Sequence, residues 1–173
     1  MHRSIFFRPL SRSDFPLFQR WLLEPHVVVW WHESLDLAGI EAKYGPRIDG
    51  IEPTHVFVIE FLKRPVGWIQ WYRWSHYPEH ARQLGAGPQS AGIDLAIGEP
   101  DMVGIGLGPA AIRKFLDQTI FVDPTIHAVI ADPAESNIRS LRAFKKAGFT
   151  VTKAVELSGE SFQRSVVHLN RPS

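Results

Sequence analysis

Three glycines in five residues, Gly104-Ile105-Gly106-Leu107-Gly108, stand between a β-type segment, Ala91 to Ile97, and an apolar run at helical spacing that follows Pro109. A chain that leaves a strand, turns on closely spaced glycines and enters a helix offers bare backbone beside the unpaired N–H groups of a helix start. Together these make an anion site. A pyrophosphate suits such a site, and a plain tight strand-to-helix turn uses the same letters. The loop sits late in the chain, after a hairpin rather than in an opening βαβ unit, which argues against a dinucleotide-binding fold. No Gly-Lys-Ser/Thr follows, which excludes a P-loop.

The remaining sequence narrows the chemistry. A length of 173 residues with 45% hydrophobic content suits one domain, expected over 1–173, with a proper core. There is no cysteine, hence no disulfide, no thiolate nucleophile and no Cys-ligated metal. The net charge is +1 with Lys and Arg scattered, which does not describe a nucleic-acid groove. The longest bulky apolar run, Val27 to Trp31, is far short of the roughly 20 residues of a membrane helix. Met1-His2-Arg3-Ser4 is not followed by a signal-type stretch. A cytoplasmic protein with a small-molecule partner is expected, as a monomer or homodimer.

Along the chain, Ser4 to Pro9 reads as a strand, and Ser13-Asp14 as an N-cap for a helix bearing Phe15, Phe18, Trp21 and Leu22. Glu24-Pro25 ends that helix, and Leu35 to about Arg47 forms a second, weaker one. Thr54–Leu62 and Pro65–Trp74 read as a hairpin turning at Lys63-Arg64. Ser75 to Ser90, rich in Gly, Pro, Ser, His and Gln, reads as a long loop suited to a substrate flap. His76 and His80 have i, i+4 spacing, but Pro78 argues against a helix there. Strands over Ala91–Ile97 and Thr125–Ile130 enclose the glycine loop and its helix. Ser136 caps a last helix stopped by Gly148, and strands near Phe149–Leu157 and Phe162–Leu169 finish the chain.

The chain resembles the GNAT N-acetyltransferases and, within them, the aminoglycoside 6'-N-acetyltransferases. The resemblance runs in consistent order through His26-Val27-Val28-Val29-Trp30-Trp31, Pro65 to Tyr72, Gly92-Ile93-Asp94, Gly106-Leu107-Gly108, Asp132 to Arg139 and Phe144 to Phe149. It implies an α/β (α+β) fold with a mixed central sheet of six or seven strands flanked by about four helices. Acetyl-CoA is then held in a splayed V between the Ala91–Ile97 and Thr125–Ile130 strands. The cofactor contacts it implies are Ile97, Val103, Gly104, Ile105, Gly106, Leu107, Gly108, Asn137 and Phe144. The acceptor contacts are Trp30, Trp31, Gln70, Tyr72, Asp94 and Asp132, with Asp94 as the carboxylate that handles the ammonium. No metal is called for.

The physical reading of these residues allows each a plainer role. Asp94 and Asp132 suit turns, Asn137 suits a helix cap, and the aromatics suit a core. Direct acetyl transfer agrees with the lack of cysteine and of any Ser-His-Asp pattern. Three features depart from the family. Val103 opens the glycine loop where Arg or Gln is usual, Phe144 replaces a Tyr linked to the leaving thiolate, and the 75–90 segment is poorly acidic for a polycationic substrate. They leave room for another acceptor, a siderophore-type hydroxylamine or a polyamine, and for a non-catalytic acyl-CoA-binding module.

Overall fold

A computed structural model describes residues 4–172. The strands are β1 (Ile5–Pro9), β2 (His55–Phe61), β3 (Arg64–Arg73), β4 (Ser90–Ile97), β5 (Ala128–Ala131), β6 (Thr150–Glu156) and β7 (Gln163–Asn170). The helices are α1 (Phe15–Leu23), α2 (Pro25–Val28), α3 (Leu37–Ile48), α4 (Pro78–Leu84), α5 (Leu107–Phe115) and α6 (Ile138–Lys146). The strands form one sheet in the order β1-β2-β3-β4-β5-β7-β6. β4 and β5 are parallel, and β1–β2, β5–β7 and β6–β7 are antiparallel, so the sheet is mixed as expected. No helix among the described residues is long and apolar enough to cross a membrane.

The chain divides into two compact units, Met1–Gln70 with Asp94–Ala111, and Trp71–Ile93 with Ile112–Ser173. In the first, the helical spacing of α1 buries Phe15, Phe18, Trp21 and Leu22 against Ile40 and Tyr44 of α3 and Trp68 of β3. Phe18 lies 4.7 Å from Tyr44 and 4.6 Å from Trp68, ring centre to ring centre. Each such side chain contributes about 1.5–3 kcal/mol by leaving water. Asp14 precedes α1 as expected, but its carboxylate turns back to accept from the Ser11 amide and from Arg8, closing the entry turn instead of capping the helix.

The end of β4 is fastened by one buried carboxylate. Glu99 accepts from Trp21 Nε1 at 2.7 Å and from Arg64 at 2.6 Å, and also pairs with Arg20, while its own side chain is 6% exposed. Gly98 makes room for this, because a Cβ there would sit 2.1 Å from the Trp21 ring. Burial pushes the Glu99 carboxyl up, and the donors from Trp21, Arg20 and Arg64 outweigh it and hold the group below its ordinary value.

In the second unit Trp74, Ala81, Leu84, Ile130, Leu157 and Val166 form the core. The parallel ladder of β4 with β5 registers Ser90 with Ala128 and Ala91 with Val129. β5 continues along β7 to Ala131↔Val167.

Several elements differ from the sequence-based expectation. The hairpin turns at Leu62 and Lys63, both at positive φ, and not at Lys63-Arg64. The 75–90 segment is not an open loop, since α4 runs through it. Pro78 occupies the first turn, where its missing N–H costs nothing, and Gly85 ends the helix in the left-handed region. Ala81 and Leu84, one helical turn apart, bury against Trp74, which makes this segment a packed helix. With α2 it brings the helices to six among the described residues. Asn137 caps α6 in place of Ser136, and β5 starts at Ala128, not Thr125.

Glu99→Gln is expected to cost about 1–2 kcal/mol in urea unfolding at pH 7. A carboxylate held below its ordinary value contributes stability at pH above that value and loses it as pH falls. The difference from wild type should therefore shrink below about pH 4.5, the ordinary value for glutamate.

Candidate active site

The first unit gathers a polar cluster at the middle of its sheet. Gln70, 7% exposed on β3, donates from Nε2 to Asp94 Oδ2 of β4 at 3.0 Å and accepts at Oε1 from Arg47 of α3, also at 3.0 Å. Arg47 lies 5.1 Å from the centre of the Tyr44 ring and pairs with Glu52 at 3.3 Å. The Tyr44 hydroxyl is enclosed without a well-formed hydrogen bond, although the Glu33 carboxylate is close enough to act on it. Burial first, and then Glu33, push the Tyr44 phenol well above its ordinary value, with Asp94 adding to this and Arg47 opposing it. The phenol therefore stays protonated and available as a donor at neutral pH. Glu33 is itself paired with Lys43 at 2.6 Å.

The two predicted tryptophans behave differently. Trp31 packs edge-on to Trp68 at 4.9 Å on the margin of the core, whereas the Trp30 indole is 39% exposed and outside that core. An exposed aromatic face suits a sugar ring or an ammonium group. His26, which opens the run leading to Trp30 and Trp31, reaches the carbonyl of Ile97 at 2.8 Å and pins the last residue of β4.

From there the chain enters the glycine loop. Gly104 and Gly106 have φ of +85° and +88°, with nothing within 4 Å of where a Cβ would stand. The backbone amides of Gly104 to Gly108 find no acceptor among the described residues, and the side chain of Leu107 anchors the loop in the core at 1% exposure. Open space, left-handed backbone and unpaired amides at the start of α5 are what a pyrophosphate requires. Val103, Gly104, Ile105, Gly106, Leu107 and Gly108 fit that group, and a side chain at residue 103 is not needed for it.

The second unit holds the other predicted residues. Tyr72 stacks edge-on against Trp74 and Tyr77, each at 5.1 Å. Asp132, 5% exposed, is engaged by His80 at 2.8 Å and by Arg164 at 3.6 Å. Its carboxylate is thus balanced by groups of this chain. His80, on α4 despite the proline that argued against a helix, also packs on Trp74 at 4.9 Å. Asn137 spends its Oδ1 on the Ser140 amide at 3.1 Å, which leaves its NH₂ for a ligand. Phe144 is 3% exposed and packs on Phe149 at 5.1 Å, a core position with no proton to give.

Sequence reasoning missed Tyr44, Arg47 and His80. The i, i+3 spacing of Tyr44 and Arg47 on one helix face was the available signal, and the intervening Gly45-Pro46 obscured it. Among the described residues no group of three or more His, Asp or Glu side chains is placed to hold a metal ion.

The model of an acetyltransferase (GNAT) domain matches residues 11–157. The chain belongs to the GNAT acetyltransferases. The enzyme is 27% identical over 149 residues to an aminoglycoside N(6')-acetyltransferase type 1 of Klebsiella pneumoniae, covering 84% of this chain and 74% of the relative. Over 62 residues, 36% of this chain and 56% of the relative, it is 36% identical to a kanamycin resistance protein of Rhizobium radiobacter. A solved structure of the aminoglycoside acetyltransferase AAC(6')-Ib with coenzyme A and kanamycin superimposes with a TM-score of 0.81 at 25% identity. The match covers 97% of this chain and 95% of that one. The fold is therefore the GNAT fold, and the acetyl donor of this acetyltransferase is acetyl-CoA.

Gly106→Val would force a β-branched residue to a φ of +88° and fill the open space before the loop. The expected outcome is a rise of about tenfold or more in the KM for acetyl-CoA, read from initial rates.

Proposed function

We propose that this enzyme acetylates an amino group of an aminoglycoside, the 6'-amine favoured, by direct transfer from acetyl-CoA in a ternary complex. It would act in the cytoplasm, as a monomer or homodimer, and confer resistance. The observation that carries the reading is the Asp94 carboxylate, half-buried on β4 and oriented by the Gln70 amide at 3.0 Å. An acceptor ammonium bound at Asp94 loses its proton to that carboxylate or to water held by it. The freed nitrogen attacks the thioester carbonyl, the C–S bond breaks, the nitrogen gives up its second proton to solvent as the amide forms, and the thiolate takes a proton from solvent. A thiol of pKa about 8.5 leaves without an acid, so Phe144 in place of tyrosine is compatible with turnover. Trp30, Trp31, Gln70 and Tyr72 are assigned to the acceptor, Asp94 to catalysis, and Ile97, Asn137 and the glycine loop to acetyl-CoA. The identity to the Klebsiella pneumoniae enzyme and the fold shared with kanamycin-bound AAC(6')-Ib support this substrate class.

One observation favours a second reading, an amine of lower charge. Asp132 is engaged by His80 and Arg164, and Glu33 by Lys43, so these two carboxylates already have cationic partners and attract a polycation less.

Thiol release from acetyl-CoA, measured with kanamycin, tobramycin, spermidine and simple monoamines, separates the two. Acetylation of the aminoglycosides, with Asp94→Asn losing about 100-fold or more in kcat/KM, is the expected result. Turnover of monoamines alone would replace the aminoglycoside by the second reading.

A further inference from the structure

Gln70 is an amide with two different ends, and its neighbours decide which way it faces. A guanidinium only donates hydrogen bonds and an ionised carboxylate only accepts them. With Arg47 Nη1 at 3.0 Å from one end and Asp94 Oδ2 at 3.0 Å from the other, the oxygen must face Arg47 and the NH₂ must face Asp94. The opposite orientation would set oxygen against carboxylate and N–H against guanidinium. Arg47 is held for this task by two further contacts, the Glu52 carboxylate at 3.3 Å and the face of Tyr44 at 5.1 Å, and its side chain is 13% exposed. Glu52 is 45% exposed, so the end of the relay nearest water carries the weaker, screened pair.

We infer that Arg47 is a positioning residue for the acetyl transfer: it acts through Gln70 to present an N–H to Asp94 and so keeps that carboxylate ionised to receive the acceptor's ammonium. The inference rests on the role proposed for Asp94, but not on the aminoglycoside. Charged and titratable groups around this relay include Arg47 and Tyr44 of α3, Glu33 and its partner Lys43, Glu52 beyond α3, and Asp94 of β4. Glu33 disfavours ionisation of the Tyr44 phenol. Arg47 and the Gln70 amide provide the opposing stabilisation of negative charge.

The sign of the effect follows. Removing a cation and fixed donor that stabilise a carboxylate favours its protonated form, so the midpoint of Asp94 rises. Titration of the Asp94 carboxyl carbon by ¹³C NMR in the protein without substrate measures this whatever amine the enzyme accepts. Arg47→Met and Gln70→Met should each raise the midpoint by about one pH unit. Because Arg47 works through Gln70, the double variant should lie no higher than Gln70→Met alone. If Arg47→Met does not fold, Arg47→Lys, which keeps the charge but loses the planar fork, takes its place in the cycle. An unchanged midpoint in the Arg47 variant, or strictly additive shifts, would overturn the inference. Loss of aminoglycoside acetylation by the wild type would leave it standing and remove only the substrate assignment.

Discussion

The buried carboxylate of Glu99 is the interaction on which the first unit turns. It lies five residues before Gly104 and joins α1 through Arg20 and Trp21 to the start of β3 through Arg64. A charge taken out of water is costly unless donors replace the lost hydration, and here three side chains do so. Arg64 continues to Asp101 at 2.7 Å, so the short segment leading into the glycine loop is tied at both ends. The loop's own backbone is left-handed at two glycines, and its amides find no acceptor among the described residues. It depends on these anchors and on Leu107 to hold its shape before an anion arrives.

The polar cluster around Asp94 follows a different logic. Its members alternate in sign, from Lys43 to Glu33, and from Glu52 to Arg47 through Gln70 to Asp94. A neutral amide, Gln70, thus links Arg47 to the Asp94 carboxylate and orients it. In the second unit the Asp132 carboxylate is engaged by His80 and Arg164 instead.

Much of this was legible in the sequence because it rests on local pattern. The strand–glycine–helix order around Gly104 to Gly108, the apolar face of α1 and the β-rich hairpin each declare themselves within a dozen residues. The 75–90 segment did not, since its composition is that of a loop and its helix is held by two small contacts, Ala81 and Leu84, with a tryptophan outside the segment. Asp94 and Gln70 were read through resemblance, and their hydrogen bond joins residues 24 apart in the chain. The link from Arg47 to Gln70, 23 residues apart, and the partners of Asp132 were illegible for the same reason. Nothing near Asp132 in sequence announces His80, 52 residues away.

The role proposed for Asp94 and its surroundings is to direct acetyl transfer to one amine of an aminoglycoside. The most direct test is NMR assignment of the product formed from kanamycin and acetyl-CoA by the purified enzyme. A single monoacetylated product carrying the acetyl group on the 6'-nitrogen is expected. Acetylation at another nitrogen, a mixture of positions, or unmodified kanamycin after prolonged incubation would contradict it.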